Sequence, residues 1–188
     1  MLLMRYIKNM NKSFHIILCI ISGAVISSCI EINGSGYLRL TEEEKSHVKV
    51  CTSPLDSVSN DGNLYTVKVE QVKEYVKSKP KVLVYSYLPF CPASQNPAEV
   101  KEYCDKNGFD FIVISSVYDG LLPIPRTFTF PVFVIDLTPY DTDNYQKYGD
   151  EFYSALTNDD SENRQISSCH LFQNGRYVKS FSLGNVHE

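Results

Sequence analysis

The feature that most constrains the fold is an apolar run that ends in a proline, an aromatic residue and a cysteine. Residues 82 to 87 read VLVYSY, and Leu88, Pro89, Phe90 and Cys91 follow. A short apolar run without alternation is typical of a strand buried on both faces, as in a parallel sheet. Open α/β sheets place their sites beyond the carboxyl ends of such strands. The run therefore predicts an α/β fold with Cys91 at the candidate site.

The sequence that follows this strand agrees with an α/β arrangement. Asn96 and Pro97 predict the start of a helix that ends at Gly108, and a second apolar strand follows over residues 109 to 117. A strand, a helix and a strand of these lengths form a parallel βαβ unit. Near the C-terminus, Asn174-Gly175 is a strong hairpin signal and predicts two final antiparallel strands.

The strand and loop around Cys91 resemble the active-site strand and loop of the thioredoxin superfamily, in which an aromatic residue precedes Cys-x-x-Cys. Here Cys91-Pro92-Ala93-Ser94 keeps the first cysteine and has serine in place of the second. The resemblance extends from about Leu64 to Leu183. It implies a thioredoxin-like fold, with a central mixed sheet flanked by helices. A helical insertion at about residues 137 to 165 would precede the C-terminal hairpin.

Pro131 opens a further apolar run, and its position resembles that of the cis-proline of the thioredoxin fold. The resemblance implies that Pro131 is cis, lies beside the Cys91 loop and leaves backbone groups free to hold a substrate. An ordinary trans proline at the start of a strand is the alternative, and trans is the more frequent state of X-Pro bonds.

The loop sequence leaves two functions open. Cys91 is the candidate nucleophile, but Ser94 cannot resolve a mixed disulfide because a hydroxyl does not exchange with sulfur. By the resemblance, Tyr85 replaces a buried carboxylate, and a phenol with a pKa of about 10 cannot manage protons at neutral pH. One function is monothiol disulfide exchange through Cys91 with a protein or small-thiol partner. The other is a non-catalytic binding or accessory module on the same scaffold.

The reactivity of Cys91 depends on where the following helix begins. A helix that starts near Pro92 would place Cys91 at its N-terminus, where unpaired N–H groups stabilise a thiolate. A helix that starts at Pro97 would leave Cys91 in a loop without that stabilisation. Both starts are compatible with the sequence.

Residues 1 to 28 predict a lipoprotein signal peptide. Basic residues precede an apolar stretch over residues 14 to 26, which is too short for a stable transmembrane helix. Ile26-Ser27-Ser28-Cys29 then resembles a bacterial lipobox. We therefore predict acylation of Cys29, a membrane lipid as its partner, and a cell-envelope location facing the periplasm or the exterior. Translation from Met1 or from Met10 leaves this prediction unchanged.

The remaining chain is predicted to form a flexible tether over residues 29 to 37 and one domain over residues 38 to 188. A formal net charge of −4 without a basic patch argues against a nucleic-acid partner. No Cys-x-x-Cys pair is present, and neither a metal site nor a cofactor is predicted. The pairing of Cys51, Cys104 and Cys169 stays open, although helix geometry places Cys104 roughly 15–20 Å from Cys91.

Overall fold

The strands belong to one mixed sheet in a computed structural model that describes residues 34 to 124 and 128 to 183. The strands are β1 Val48–Val50, β2 Leu64–Val67, β3 Lys81–Ser86, β4 Asp110–Ser115, β5 Val132–Ile135, β6 Cys169–Gln173 and β7 Arg176–Phe181. The α-helices are α1 Glu42–Ser46, α2 Val69–Ser78, α3 Pro97–Asn107, α4 Tyr145–Thr157 and α5 Glu162–Ile166. Single 3-10 turns lie at Tyr37–Arg39 and Leu55–Ser57.

The sheet has the order β1-β2-β5-β4-β3-β6-β7. The first five strands in this order pair in parallel, while β6 runs antiparallel to β3 and to β7. The predicted α/β class and mixed sheet are therefore confirmed. The predicted hairpin is also present, because Asn174 and Gly175 connect β6 and β7 with φ angles of 50° and 74°.

Helix α3 begins where the sequence predicts its cap. The side chain of Asn96 accepts a hydrogen bond from the Ala98 N–H, and Pro97 occupies the first helical position. Gly108 ends the helix in the left-handed conformation, with φ at 66°. Of the two predicted helix starts, the structure has the later one, so Cys91 lies in a loop ahead of the helix.

Two helices, α4 and α5, separate β5 from the final hairpin. The N-terminal cap of α4 is Asn144, whose side chain accepts from two backbone N–H groups of the first turn. Tyr148 and Phe152 on α4 are fully buried in one apolar cluster with Val72 and Val76 of α2. Helix α3 buries Val100 and Cys104 in the second apolar cluster.

The prediction for Pro131 is wrong in both conformation and position. Within the described ranges the cis peptide bond lies at Leu122–Pro123, and Pro131 is trans. Pro131 precedes the amino end of β5, which pairs in parallel with β2 and β4. Cys91 instead follows the carboxyl end of β3. The apolar run after Pro131 is the parallel strand β5, and the antiparallel neighbour of β3 is β6.

The predicted tether is also wrong for its last residues. Ser35 is buried, its carbonyl accepts from the Tyr118 N–H at 2.8 Å, and Gly34 bridges to Asn144. Gly36 has φ at 86°, and a Cβ there would lie 2.5 Å from the Asp119 carboxylate, so only glycine fits this approach. These residues lie against the domain because backbone pairing and close packing hold them.

The predicted signal peptide, Cys29 and the first part of the tether lie outside the described residues. Within the part that the structure describes, every helix is too short or too polar to cross a bilayer.

Candidate functional site

Cys91 lies in a tight loop beyond the carboxyl end of β3. Its N–H donates to the Leu88 carbonyl at 3.0 Å, and its carbonyl accepts from the Ser94 N–H at 2.9 Å. Of the four cysteines in the described ranges, Cys91 is partly exposed while Cys51, Cys104 and Cys169 are buried, and all four are free thiols. The loop therefore presents one accessible sulfur at the end of a buried strand.

The Ser94 side chain stabilises the Cys91 loop by a hydrogen bond to the loop backbone. Its hydroxyl oxygen accepts a hydrogen bond from the Leu88 N–H at 3.3 Å, which joins the two ends of the loop. The serine thus satisfies a backbone donor that a loop without it would leave to solvent.

An open cleft of ≈ 620 Å³ begins at Cys91. The Cys91 loop forms one wall, the helices α4 and α5 form the other, and the ends of β3 and β6 form the floor. The lining includes aromatic, neutral polar and charged side chains. The residues that matter for its chemistry are Phe90, Cys91, Tyr145, Asp150, Arg164, Ser167 and His170.

His170 lies on the floor of this cleft and is 1% exposed. Its ring stacks on Tyr153 with a centroid separation of 4.6 Å, and its Nδ1 lies 2.8 Å from Ser180 Oγ. Burial, together with the positive charge of Arg164, lowers the pKa of His170 to about 3, so the ring is neutral at neutral pH. Its Nε2 has no hydrogen-bond partner among the described residues.

Arg164 supplies the positive charge of the cleft, and its side chain is only 2% exposed. Its Nε donates to the Asp159 carbonyl at 2.7 Å, and its Nη1 lies 3.4 Å from Asp150 Oδ1. The Asp150 carboxylate is half exposed, so the pair spans the boundary between the protein and the solvent. Together the two side chains leave this part of the cleft without net charge.

Tyr85 lies beneath the loop and is fully buried. Its hydroxyl donates to the Gln95 carbonyl at 3.0 Å, and burial raises the pKa of this phenol above its ordinary value. Tyr85 therefore keeps its proton at neutral pH. Burial also raises the pKa of Cys104 to about 12 and that of Cys169 to about 11, so both thiols remain protonated.

The structure assembles only part of the predicted site. Cys91 and Ser94 share one loop, Pro131 lies elsewhere, and Cys29 is not described. His170 and Arg164 were not predicted. The nearest sequence signal for His170 is one ionisable residue inside the first strand of the predicted hairpin, and its position opposite Val84 follows only from the β3–β6 register.

Two further observations limit the chemistry of the described residues. No group of three His, Cys, Asp or Glu side chains in the described ranges is arranged to hold a metal ion. A second cavity of ≈ 710 Å³ is lined by Glu43, Glu44, His47 and Asp61 among others, and no cysteine lines it. Within this part of the chain, the cysteine with a partly exposed thiol is therefore the one that lines the Cys91 cleft.

Comparison with known proteins adds no family to these observations. A scan against protein-family models gives no match, and a search of curated proteins gives none either.

Proposed function

We propose that this chain is a lipid-anchored protein of the bacterial cell envelope, with a thioredoxin-like domain that exchanges disulfides through the single thiol of Cys91. The observation that carries the proposal is the accessibility of Cys91 at the head of the cleft, in contrast to the buried Cys51, Cys104 and Cys169. Accessibility matters because thiol–disulfide exchange requires the attacking sulfur to reach the disulfide in line.

The arrangement of β3, α3, β4 and the final hairpin supports the thioredoxin-like part of this proposal. The strand that leads to Cys91 pairs in parallel with β4 on one side and antiparallel with β6 on the other. The resemblance stated above implies a central mixed sheet with a C-terminal hairpin, and these pairings agree with that expectation. In the proposed fold, β5 is an added parallel strand between β2 and β4.

The proposed step is a single exchange. The Cys91 thiolate attacks one sulfur of a substrate disulfide, a bond forms between the two sulfurs, and the substrate bond breaks. The second substrate sulfur leaves as a thiolate and takes a proton from water. An external thiol then attacks the mixed disulfide at the substrate sulfur and releases Cys91 as a thiolate. Cys91 is thus neither oxidised nor reduced overall.

Two features of the loop make this exchange slow and dependent on the external thiol. Helix α3 begins at Pro97, so its N-terminal N–H groups do not reach Cys91, and Asn96 and Ala98 already pair at the cap. Ser94 provides no sulfur for resolution. The proposal is therefore a monothiol exchange, in which the mixed disulfide persists until an external thiol arrives.

The test is adduct formation with oxidised glutathione, followed by mass spectrometry. The native chain is expected to gain one adduct at Cys91 faster than at Cys51, Cys104 or Cys169, and Cys91→Ala is expected to remain unmodified while folded. Cys51→Ala is the matched control, because it removes a buried thiol and should leave the adduct rate unchanged. A native chain without an adduct on Cys91 would refute the exchange.

A non-catalytic binding or accessory module is the second candidate, and the loop gives a specific reason for it. Tyr85 retains its proton at neutral pH, and the Ser94 hydroxyl oxygen accepts a hydrogen bond from the Leu88 N–H. Neither residue therefore assists proton or sulfur transfer. If Cys91 proves unreactive, the same cleft would serve binding alone. The oxidised-glutathione experiment separates the two functions.

The membrane anchor in this proposal depends on Cys29. Multiple acyl chains would hold the mature N-terminus at a membrane, whereas one chain binds only marginally. Expressed in a bacterial envelope, the native chain is expected to partition with detergent, and Cys29→Ser to remain in the aqueous phase. Equal partition of both proteins would refute lipidation at this residue.

A further inference from the structure

The hydrogen bonds behind His170 fix which of its ring nitrogens carries the proton. The Asp159 carboxylate accepts from the Ser161 backbone N–H, which lowers its pKa, so it is ionised at neutral pH and only accepts. Tyr177 OH donates to Asp159 Oδ2 at 3.0 Å. The Tyr177 oxygen lies 2.7 Å from Ser180 Oγ, and the phenol proton is already committed, so Ser180 must donate to it.

The same assignment of protons then determines the tautomer of the His170 imidazole. Ser180 has one hydroxyl proton and donates it to Tyr177, so its oxygen must accept from His170 Nδ1–H at 2.8 Å. A neutral imidazole carries one N–H, so Nε2 is left with a bare lone pair. This nitrogen is buried and unpartnered among the described residues, and a buried acceptor without a partner destabilises the folded state.

We propose that His170 Nε2 is the acceptor for an uncharged N–H group of the ligand that occupies the Cys91 cleft, and that this group is a backbone amide of a cysteine-bearing polypeptide. The identification of the sulfur-bearing ligand rests on the proposed function. The identification of its hydrogen-bonding group rests on the geometry of His170, the Tyr153 ring that orients it, and the cleft that it lines.

Charge decides what kind of donor fits. The charged side chains in the described lining are Asp150 and Arg164, and they pair with each other at 3.4 Å. An ammonium group beside Nε2 would be buried without a free carboxylate, and a carboxylate would meet a lone pair. A neutral amide N–H avoids both penalties. The cleft can hold more than one residue, since its volume is ≈ 620 Å³.

His170 acts in this proposal as a hydrogen-bond acceptor and not as a base. Its pKa of about 3 means that protonation by a thiol or an amide is strongly unfavourable at neutral pH. It is therefore a residue that recognises the ligand, and the leaving thiolate takes its proton from water as in the exchange described above.

The experiment compares two disulfide probes on the full-length chain in detergent. One is the disulfide dimer of N-acetylcysteine methylamide, which carries backbone N–H groups beside its sulfur. The other is the disulfide dimer of methyl mercaptopropionate, which carries none. The native chain is expected to form the Cys91 adduct about threefold to tenfold faster with the amide probe, after correction for the rates of both probes with a free thiol. His170→Phe is expected to abolish this preference.

A binding measurement by NMR, in which no bond to sulfur forms, tests the inference independently of the reactivity of Cys91. In the chain labelled with ¹⁵N-histidine, His170 is expected to show a protonated Nδ1 and an unprotonated Nε2. Saturating S-methylated N-acetylcysteine methylamide should shift the Nε2 resonance, while the exposed His47 serves as the internal control. A protonated Nε2, an unmoved Nε2 resonance or equal corrected rates with both probes would overturn the proposal. Absence of any adduct together with a shifted Nε2 would overturn the exchange function alone.

Discussion

His170 Nδ1 and Ser180 Oγ lie 2.8 Å apart on the neighbouring strands β6 and β7, and both residues are buried. The pair joins the floor of the Cys91 cleft to β7, where Ser180 also contacts the Tyr177 hydroxyl. Strand β7, which contributes no residue to the cleft lining, therefore fixes the orientation of a residue on β6 that does.

Removal of the Ser180 hydroxyl should destabilise the domain and release the His170 ring. Ser180→Ala leaves the buried Nδ1–H of His170 without an acceptor, so we expect the free energy of unfolding to fall by about 1–3 kcal/mol. In ¹⁵N-histidine spectra, His170 should change from one tautomer to a mixture. Ser182→Ala is the control, since Ser182 is exposed and its loss should change stability by no more than about 0.5 kcal/mol. Equal stability of the two variants would contradict the role of Ser180.

The stability of the domain should fall in mildly acidic solution because of His170. Its pKa is lowered to about 3 by burial and by Arg164, from an ordinary value of 6.5, so below pH 6.5 the unfolded chain binds a proton that the folded chain does not. The stability contributed by the neutral His170 ring is therefore fully present above pH 6.5, and it is lost progressively as the pH falls from there toward 3. The slope is about 1.4 kcal/mol per pH unit.

Denaturant unfolding between pH 6.5 and about pH 5 isolates this effect, because few carboxylates titrate there. His170→Gln should flatten the pH dependence in this range even if it lowers the stability at every pH. His47→Gln, which changes an exposed histidine, should keep most of the native slope. A slope that is the same in the native chain and in His170→Gln would show that His170 is not the responsible group.

Alkylation should single out Cys91 in the folded chain. At pH 8, iodoacetamide should label Cys91 at least about a hundredfold faster than Cys104 or Cys169, whose pKa values of about 12 and about 11 leave little thiolate. Burial should protect Cys51 by limiting access. In urea all four should react at similar rates. Labelling of Cys104 or Cys169 in the folded chain as fast as Cys91 would contradict the burial that the structure gives them.

The sequence predicts the scaffold well because local signals determine it. The apolar run of β3, the Asn96 cap and the Asn174-Gly175 turn each specify one element, and all three are found. Pro131 shows the limit of this reasoning. A proline before an apolar run indicates the start of a strand, but the neighbours of that strand depend on pairing across the whole sheet, which local sequence does not encode.

The cleft residues show the same limit. His170 and Arg164 lie far from Cys91 in the chain and meet it only because β6 pairs with β3 and α5 covers the strand end. An isolated histidine in an apolar strand is compatible with a role in the core or in a site. Two structural features distinguish these roles: the hydrogen bond between His170 and Ser180, and the Nε2 atom that has no partner among the described residues. Neither feature has a sequence pattern.

The loop geometry further predicts that one substitution creates a dithiol. The Ser94 N–H donates to the Cys91 carbonyl at 2.9 Å, which closes a four-residue turn. Such turns hold their end Cα atoms within about 7 Å, and disulfides form at Cα separations of about 4.4–6.8 Å. We therefore expect Ser94→Cys to form an internal disulfide under mild oxidation, detected by mass spectrometry as the loss of two hydrogens and by protection of both thiols from alkylation.

Ser94→Cys should also gain activity that the native chain lacks. The native chain is expected to show little or no insulin-type disulfide reduction, because its mixed disulfide has no neighbouring thiol to resolve it. In Ser94→Cys, the new thiol attacks Cys91 in the mixed disulfide, releases the reduced substrate as a thiolate and leaves an internal disulfide that dithiothreitol reduces. Ala93→Cys is the matched control, since it adds a thiol to the same loop one residue short of the closed turn. Turnover by the native chain as fast as by Ser94→Cys, or no more turnover by Ser94→Cys than by Ala93→Cys, would show that the lack of a neighbouring thiol at residue 94 does not limit the exchange.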